Sequence, residues 1–589
     1  RVNRGDRLRL TFSTRDTGHS FLLQEYDLDA KISPGLDEVE VFRPSRPEDP
    51  PQRMREVTLV AGQPGLLGWL VSKSRFRCHV YCGPLHGLEH GNLIVQPNLL
   101  LAASLGLVIA IPFVVLLSSP NTENREPRAA VPAVDLFRLL PWLKRLLRWR
   151  GFQFATQVPA LALLYLMVLA GLLGTKVPGR NIAIMLPWVV WLFLLAAVLV
   201  PLGGRLWCLI CPLPVFGEWL QRRAITEVRP GQTGAYRNRF FGLFRRWPQS
   251  LTSAWPRTLA FLIVGTLGTL LVCKPKATAW ALIILTLLPL GMALVWELRA
   301  FCRYVCPINA FIGLYAMAGR LAVRPTKVET CRQCQIRSCQ LGNERGWPCP
   351  YGLCVGEMTR NNDCGLCTEC MKSCAYDNVS LYWQRFGADI EGAAPRNRVS
   401  SRNPVSHGLG SCSEAWQAIA LLTMAFAYAV THLGPWPAVR NWVDVVDKGN
   451  WASFLAYGGV LWAVALLGAP LLFYGVVWAC GRVGGWASTT FIASAEALVP
   501  IGLFAWMAIM VPMVMVNATF VLCTLSDPFG LNWNLFGTAG LPWWQIEPAA
   551  IPWIQAGCVL AGLWYSLRAA ERGQRPPTGL LMLIAALLL

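Results

Sequence analysis

Histidine is scarce in this chain, six residues in 589, and four of the six (His19, His79, His86 and His90) fall within the first ninety positions. Beyond them stand only His407 and His432. A bis-histidine haem takes a pair of imidazoles, usually from facing helices, and covalent haem needs a C-x2-C-H segment, which is missing. Haem-copper oxidase chemistry needs several membrane histidines and is excluded. Charge is also sparse: Asp, Glu, Lys and Arg make up 15%, where an ordinary soluble domain has roughly 25%. With 54% apolar residues and a mean hydropathy of +0.41, the chain is neither a soluble enzyme nor disordered.

Present instead are long apolar runs. Ten are expected to span a bilayer, near 98–118, 153–173, 181–202, 257–273, 278–298, 413–432, 451–478, 497–522, 550–567 and 578–589, most of them near the roughly 20 residues a span requires. The 26 tryptophans suit helix ends in membrane interfaces. The net charge of +20 sits in short loops, which reads as positive-inside topology and not as nucleic-acid binding. Loop 121–151 holds seven Lys/Arg and loop 203–255 eight, against two each in 174–180 and 274–277. Segments 121–151, 203–255 and 299–412 are therefore expected in the cytoplasm. The expected organisation is an exterior β-sandwich over 1–97, membrane helices over 98–320, a cytoplasmic iron–sulfur segment over 321–412 and further membrane helices over 413–589. The chain opens on a strand, so a preceding leader or anchor is expected. Glu297 and Glu496 lie near span ends, where acids can mark proton or quinone sites.

The 20 cysteines fall mostly into short, spaced groups, which points to metal ligation over a disulfide framework. Cys364-x2-Cys367-x2-Cys370-x3-Cys374 is the spacing of a bacterial ferredoxin run, whose fourth thiolate crosses to a second cube. Upstream stand Cys331-x2-Cys334-x4-Cys339 and Cys349-Pro350. The expected assignment is Cys331, Cys334, Cys339 and Cys374 on one 4Fe-4S cluster and Cys349, Cys364, Cys367 and Cys370 on the other. Cys354, five residues past Cys349, leaves that last ligand open, and Ala375 stands where a proline usually follows the fourth cysteine. A structural zinc site is the competing reading of paired C-x2-C segments. The chain also repeats itself: Arg205-Leu-Trp-Cys-Leu-Ile-Cys-Pro212 and Arg299-Ala-Phe-Cys-Arg-Tyr-Val-Cys-Pro307 each close a two-span unit. Cys208, Cys211, Cys302 and Cys306 are candidates for a third metal centre or a thiol site. Lone Cys273, Cys412, Cys480, Cys523 and Cys558 read as packing residues.

Over about residues 150–385 these motifs resemble the membrane polyferredoxins of the NosR and NapH type. That family has C-x3-C-P twice; here the first copy is C-x2-C-P, one residue shorter. The resemblance implies electron transfer from cytoplasmic or quinol donors toward a periplasmic acceptor. No motif for covalent flavin attachment through a Thr is found.

The N-terminal segment alternates in runs such as Arg7-Leu-Arg-Leu-Thr-Phe12 and Glu38-Val-Glu-Val-Phe42, which predict β-strands. It ends in Phe76-Arg-Cys78-His-Val-Tyr-Cys82-Gly-Pro-Leu-His86-Gly-Leu-Glu-His90, with Asp16-Thr-Gly-His19-Ser-Phe21 upstream. Thiolates and imidazoles together in a β-sandwich select copper over hard metals. This segment resembles a cupredoxin, specifically the CuA domain of cytochrome oxidase subunit II and nitrous oxide reductase. The resemblance implies His19, Cys78, Cys82 and His86 as ligands, both thiolates bridging two coppers, and the Val80 carbonyl as a further ligand. Glu89 falls where that family has a weak axial Met, and a carboxylate there lowers the copper potential. A mononuclear site on Cys82, His86 and His19, and a Cys78–Cys82 disulfide, are the other readings. His79 reads as a surface residue.

The combined expectation is a multi-pass electron-transfer protein of a bacterial inner membrane, its copper domain periplasmic and its iron–sulfur segment cytoplasmic. It would be a subunit of a respiratory complex, in contact with lipid and with other redox subunits such as a cytochrome, reductase or oxidase. The alternative is a copper-site assembly or regulatory factor for such a partner. Copper and iron–sulfur sites on opposite faces of roughly 30 Å of hydrocarbon need a bridge, for which a quinone, a flavin, a partner's haem or the Cys-Pro pairs are the candidates.

Overall fold

The computed structural model describes residues 2–3, 6–14, 18–45, 48–62, 73–80, 89–96, 133–222, 242–243, 245–358, 360–391, 412–433, 442–446, 448–484, 490–541 and 550–572. The first part is β-rich. Its strands are β1 (Val2–Asn3), β2 (Arg7–Leu10), β3 (His19–Leu23), β4 (Leu28–Ile32), β5 (Val39–Phe42), β6 (Gln52–Met54), β7 (Val57–Val60), β8 (Lys73–Arg77) and β9 (His90–Gln96). Seven form one sheet in the order β1-β9-β8-β3-β4-β5-β6, and β2 pairs with β7 in a second. Alternation sends Leu23, Leu28, Ala30, Ile32, Val39 and Val57 into a shared core. Phe21 stacks on Phe76 from the adjacent strand at 4.8 Å, the kind of cross-strand pair that fixes register.

Five helices are long and apolar enough to cross a membrane: Gly151–Leu173, Ile182–Gly203, Pro275–Val295, Trp451–Trp478 and Phe491–Ser526. Of the other expected spans, 98–118 and 578–589 lie outside the described residues. The 257–273 run is divided at Leu267 into Trp255–Thr266 and Gly268–Cys273. Cys412–Leu433 and Ile551–Arg572 are helices of span length that carry polar residues such as Glu414, Gln417, Gln555 and Arg568. The Phe491–Ser526 helix is the most enclosed of the five. Gly562 lets Ile551–Arg572 lie directly against it: a Cβ there would sit 2.8 Å from the Phe504 Cβ and 3.0 Å from the Ile501 Cα.

The helix ends sort into two groups. At one end the backbone N–H groups of Thr175 and Ile182 donate to the carbonyls of Phe529 and Pro528. At the other, two segments meet the cysteine-rich part of the chain. Arg150 donates to the Glu344 carbonyl and Gln153 to that of Cys367, and the Arg299 N–H donates to the Pro350 carbonyl. The cysteine-rich part is tied at its own ends by a three-stranded sheet of β10 (Val134–Asp135), β11 (Leu321–Pro325) and β12 (Val379–Trp383), in the order β10-β12-β11. Antiparallel pairing from Leu321↔Trp383 to Pro325↔Val379 brings the start of the ferredoxin-like stretch beside its finish. Two ion pairs anchor it: the part-buried Arg324 on Asp389 at 2.9 Å, and the buried Arg360 on Glu496 of the long helix at 3.0 Å. Glu496 is thus the charge partner of Arg360.

Candidate metal centres

The first thiol group comes from the repeat. Cys208 is the middle residue of the short helix Leu206–Ile210, which Cys211 caps, and Cys302 lies in the five-residue π-turn Phe301–Val305. The wider π-turn absorbs the one residue by which the second copy is longer. Both copies then leave the helix in the same conformation, φ −61° and ψ 125° at Cys211, φ −57° and ψ 121° at Cys306. Proline at the next position enforces this, because its ring drives the preceding residue into the extended region. The length difference between the two Cys-Pro copies is therefore conformationally neutral. Cys208, Cys211 and Cys306 are buried, and Cys302 is half-buried. Burial, the largest cause, and the neighbouring thiols raise the Cys211 and Cys302 thiols above their ordinary value. Burial pushes the Cys306 thiol up to about 12. Such thiols become thiolates when a metal replaces their protons.

The second group joins Cys349 to the ferredoxin run: Cys364 packs against Cys349 in one cluster and against the cluster that holds Cys370 in another. It adjoins the first group, since Cys302 packs with Cys364 against Cys349, Tyr351 and Leu353. Arg205 lies between the two groups. Its guanidinium reaches the Cys208 sulfur at 3.7 Å, donates to the Asn362 carbonyl at 2.9 Å and sits 4.8 Å from the centre of the Tyr351 ring. Its counterpart in the repeat, Arg299, is held by Glu218 through two bonds of 2.6 Å. Burial opposes ionisation of Glu218, but Arg222 and Arg299 together outweigh it and hold the carboxyl below its ordinary range.

The third group lines one small cavity: Cys331, Cys334, Cys339, Cys374 and also Cys354. Cys354, which the sequence leaves as a rival to Cys349, lies here. Asn378 clamps this group. Its backbone N–H donates to the Cys374 sulfur and its side-chain amide to the Cys331 sulfur, each at 3.3 Å, while its Oδ1 accepts the Lys327 N–H at 2.8 Å. Hydrogen bonds of this kind favour thiolate and tune cluster potential. Four thiols in each of the first two groups and five in the third are donor chemistry that fits a cube better than a hard cation.

In the β-rich part, His19, Cys78 and Glu89 place one ligand atom each within 4.8 Å of one another. The β8–β9 hairpin sets this up: the Cys78 N–H donates to the Glu89 carbonyl at 2.9 Å, continuing the Arg77↔His90 pairing. His19 opens β3, the neighbour of β8, and its Nδ1 lies 3.1 Å from Glu89 Oε2. The Ser20 N–H donates to the Cys78 sulfur at 3.2 Å, and the thiol lies 3.1 Å from the Val80 carbonyl. Cys82 and His86 lie outside the described residues. His79 is exposed, as expected, yet engaged at both ring nitrogens, with Ser20 Oγ at 2.8 Å and Asp29 at 3.3 Å.

The functional residues that the sequence reading missed are Asn378, Arg205 and Tyr351. Arg205 had a signal, because both repeat copies read Arg-x2-Cys. Asn378 and Tyr351 had none.

Comparison with known proteins agrees with the repeat. A family profile described as a 4Fe-4S binding domain matches twice, over residues 184–229 and 278–325, so one copy contains Cys208 and Cys211 and the other Cys302 and Cys306. The chain thus carries two regions similar to iron–sulfur binding domains, as a polyferredoxin-like protein does, and this suggests electron transfer. An uncharacterized protein of Methanocaldococcus jannaschii is 28% identical over 82 residues, which is 14% of this chain and 30% of the relative. The chain spans under a third of that relative's length. No solved structure matches.

Proposed function

We propose that this chain is a membrane-bound electron carrier with three adjoining iron–sulfur stations and a copper station in its N-terminal part. The observation that carries this reading is contiguity. The thiols of Cys302 and Cys364 share one packing cluster around Cys349 and Tyr351, and Cys339 and Cys374 of the third group pack against the cluster that holds Cys370 of the second. Thiols that bring three cubes into succession suit relay, because each centre, when bound, accepts and releases one electron.

The protein's own residues supply position and charge. Cys208, Cys211, Cys302 and Cys306 would hold the station nearest the membrane, Cys349, Cys364, Cys367 and Cys370 the middle one, and the Cys331 group the outer one. Arg205 and Arg299 place positive charge beside the thiolates. His19, Cys78 and Glu89, joined by Cys82 and His86, would hold copper. A quinone, which the family resemblance implies, has room in a cavity of about 210 Å³ lined by Arg257, Arg303, Tyr304, Asp363, Ser413 and Glu414. Arg303 and Tyr304 lie between Cys302 and Cys306, and Asp363 directly precedes Cys364. A cytoplasmic location for the clusters and a periplasmic one for copper belong to the same proposal.

An anaerobic redox titration followed by EPR tests it. Three iron–sulfur signals that broaden as their neighbours become reduced are the expected result. Isolated, uncoupled signals would contradict the relay.

A further inference from the structure

Tyr351 carries a buried hydroxyl with nothing to bond. The side chain is 1% exposed, and its Oη has no hydrogen-bond partner among the described residues. Leaving a buried donor unmet is costly, so such a group points to an acceptor that the polypeptide itself does not supply.

The phenol is firmly placed. The two arginines that the repeat sets in equivalent positions both approach its ring, Arg205 at 4.8 Å and Arg299 at 6.0 Å from the centre. Each is tied down in turn, Arg205 on the Asn362 carbonyl and Arg299 on Glu218. The hydroxyl edge of the ring lies on the turn between Cys364 and Cys367. A Cβ at Gly365 would stand 2.4 Å from the Tyr351 Oη and 2.3 Å from its Cε2, so glycine there leaves the room that the phenol takes. Cys364 packs against the cluster that Tyr351 forms with Cys349 and Leu353. Toward the first station the polar contact is made by Arg205 instead, whose guanidinium reaches the Cys208 sulfur at 3.7 Å. Two more buried donor atoms without partners flank the same thiols: Arg205 Nε, and Oγ1 of Thr368, the residue after Cys367. Unmet donors gathered around a thiol group suit the anionic sulfurs of a bound cluster as their acceptors.

We propose that the Tyr351 hydroxyl donates a hydrogen bond to a sulfur of the cluster held by Cys349, Cys364, Cys367 and Cys370, and thereby raises the reduction potential of the middle station. This deepens the iron–sulfur reading above and rests on it. The proton stays on the phenol throughout. Reduction adds negative charge at the sulfurs, so the bond is stronger in the reduced state and favours it. Tyr351 is a positioning and tuning residue, since it carries no electron itself.

The test uses the full-length protein purified without oxygen, as wild type and as Tyr351→Phe, which keeps the ring between the arginines and removes only the hydroxyl. Iron and sulfide are counted per chain, and each station's potential is read by titration with EPR detection. The middle station is identified as the signal altered by Cys367→Ser. Tyr351→Phe is expected to keep its iron and to show a roughly tenfold lower ratio of reduced to oxidised middle station at a given potential, equivalent to about 59 mV for one electron. Pulsed EPR of the reduced wild type should reveal a proton coupled to that station which is missing in Tyr351→Phe. An unchanged potential with full iron, a shift confined to another station, or identical proton couplings in the two proteins would overturn the inference. A wild type without cluster iron would overturn the iron–sulfur reading itself, a result distinct from any of these.

Discussion

The guanidinium of Arg205 lies 4.8 Å from the centre of the Tyr351 ring, buried between the Cys208 sulfur and the loop that precedes Cys364. One cation is thereby shared by two thiol groups. A positive charge and an N–H donor at a cluster sulfur favour the reduced state. Replacing Arg205 with Leu is expected to lower the reduction potential of the station on Cys208 by roughly 60 mV, a tenfold change for a one-electron couple. Arg205→Lys should recover part of the shift. Potentiometry with EPR detection measures both, and an unchanged potential with intact iron would remove Arg205 from the mechanism.

Glu218 gives a pH dependence with a definite sign. Its carboxyl is held below the usual range because Arg222 and Arg299 outweigh burial. Its stabilising contribution is complete above the unfolded-state value of about 4.3 and is lost as pH falls through the lower folded-state value. In Glu218→Gln the thermal midpoint in detergent should fall at neutral pH and depend less on pH in the acid range. Removing one partner of a buried pair costs about 3–5 kcal/mol. A variant as stable as the parent at pH 7 would contradict the account.

Asn378 bonds two thiols of the outer group at once, Cys331 and Cys374. Asn378→Leu removes the side-chain bond to Cys331 and leaves the Lys327 N–H without its acceptor, at a cost of about 1–3 kcal/mol. The expected outcome is faster iron loss from one cluster only under chelator challenge, followed by absorbance. Loss at the wild-type rate would speak against the clamp.

At the N-terminal site, Glu89 stands beside His19 and Cys78. If copper binds there, Glu89→Met exchanges a hard ligand for a soft one and should raise the copper potential. Copper binding with an unchanged potential would place Glu89 outside the coordination sphere.

Much of this was legible from residues alone. Spacing separates the cysteines into groups, and the repeat points to Cys208, Cys211, Cys302 and Cys306 as a set, because ligand spacing is local chemistry. Cys354 was not legible: its neighbour in sequence is Cys349, but the fold turns it toward Cys331. Asn378 was equally hidden, since a lone amide carries no pattern and acquires its role only when β11 and β12 pair. Glu496 reads from sequence as an acid at a span end, and only the packed structure supplies Arg360. Five apolar helices stand out by length and composition, whereas 255–273 divides at Leu267, a break that hydropathy does not register.

The central claim is that three thiol groups hold iron. Iron and acid-labile sulfide, counted per chain on protein purified without oxygen, test it most directly. The account predicts about twelve irons, three cubes of four, falling to about eight in a Cys208→Ser, Cys306→Ser double variant. About eight irons in the wild type, unchanged in that variant, would contradict it.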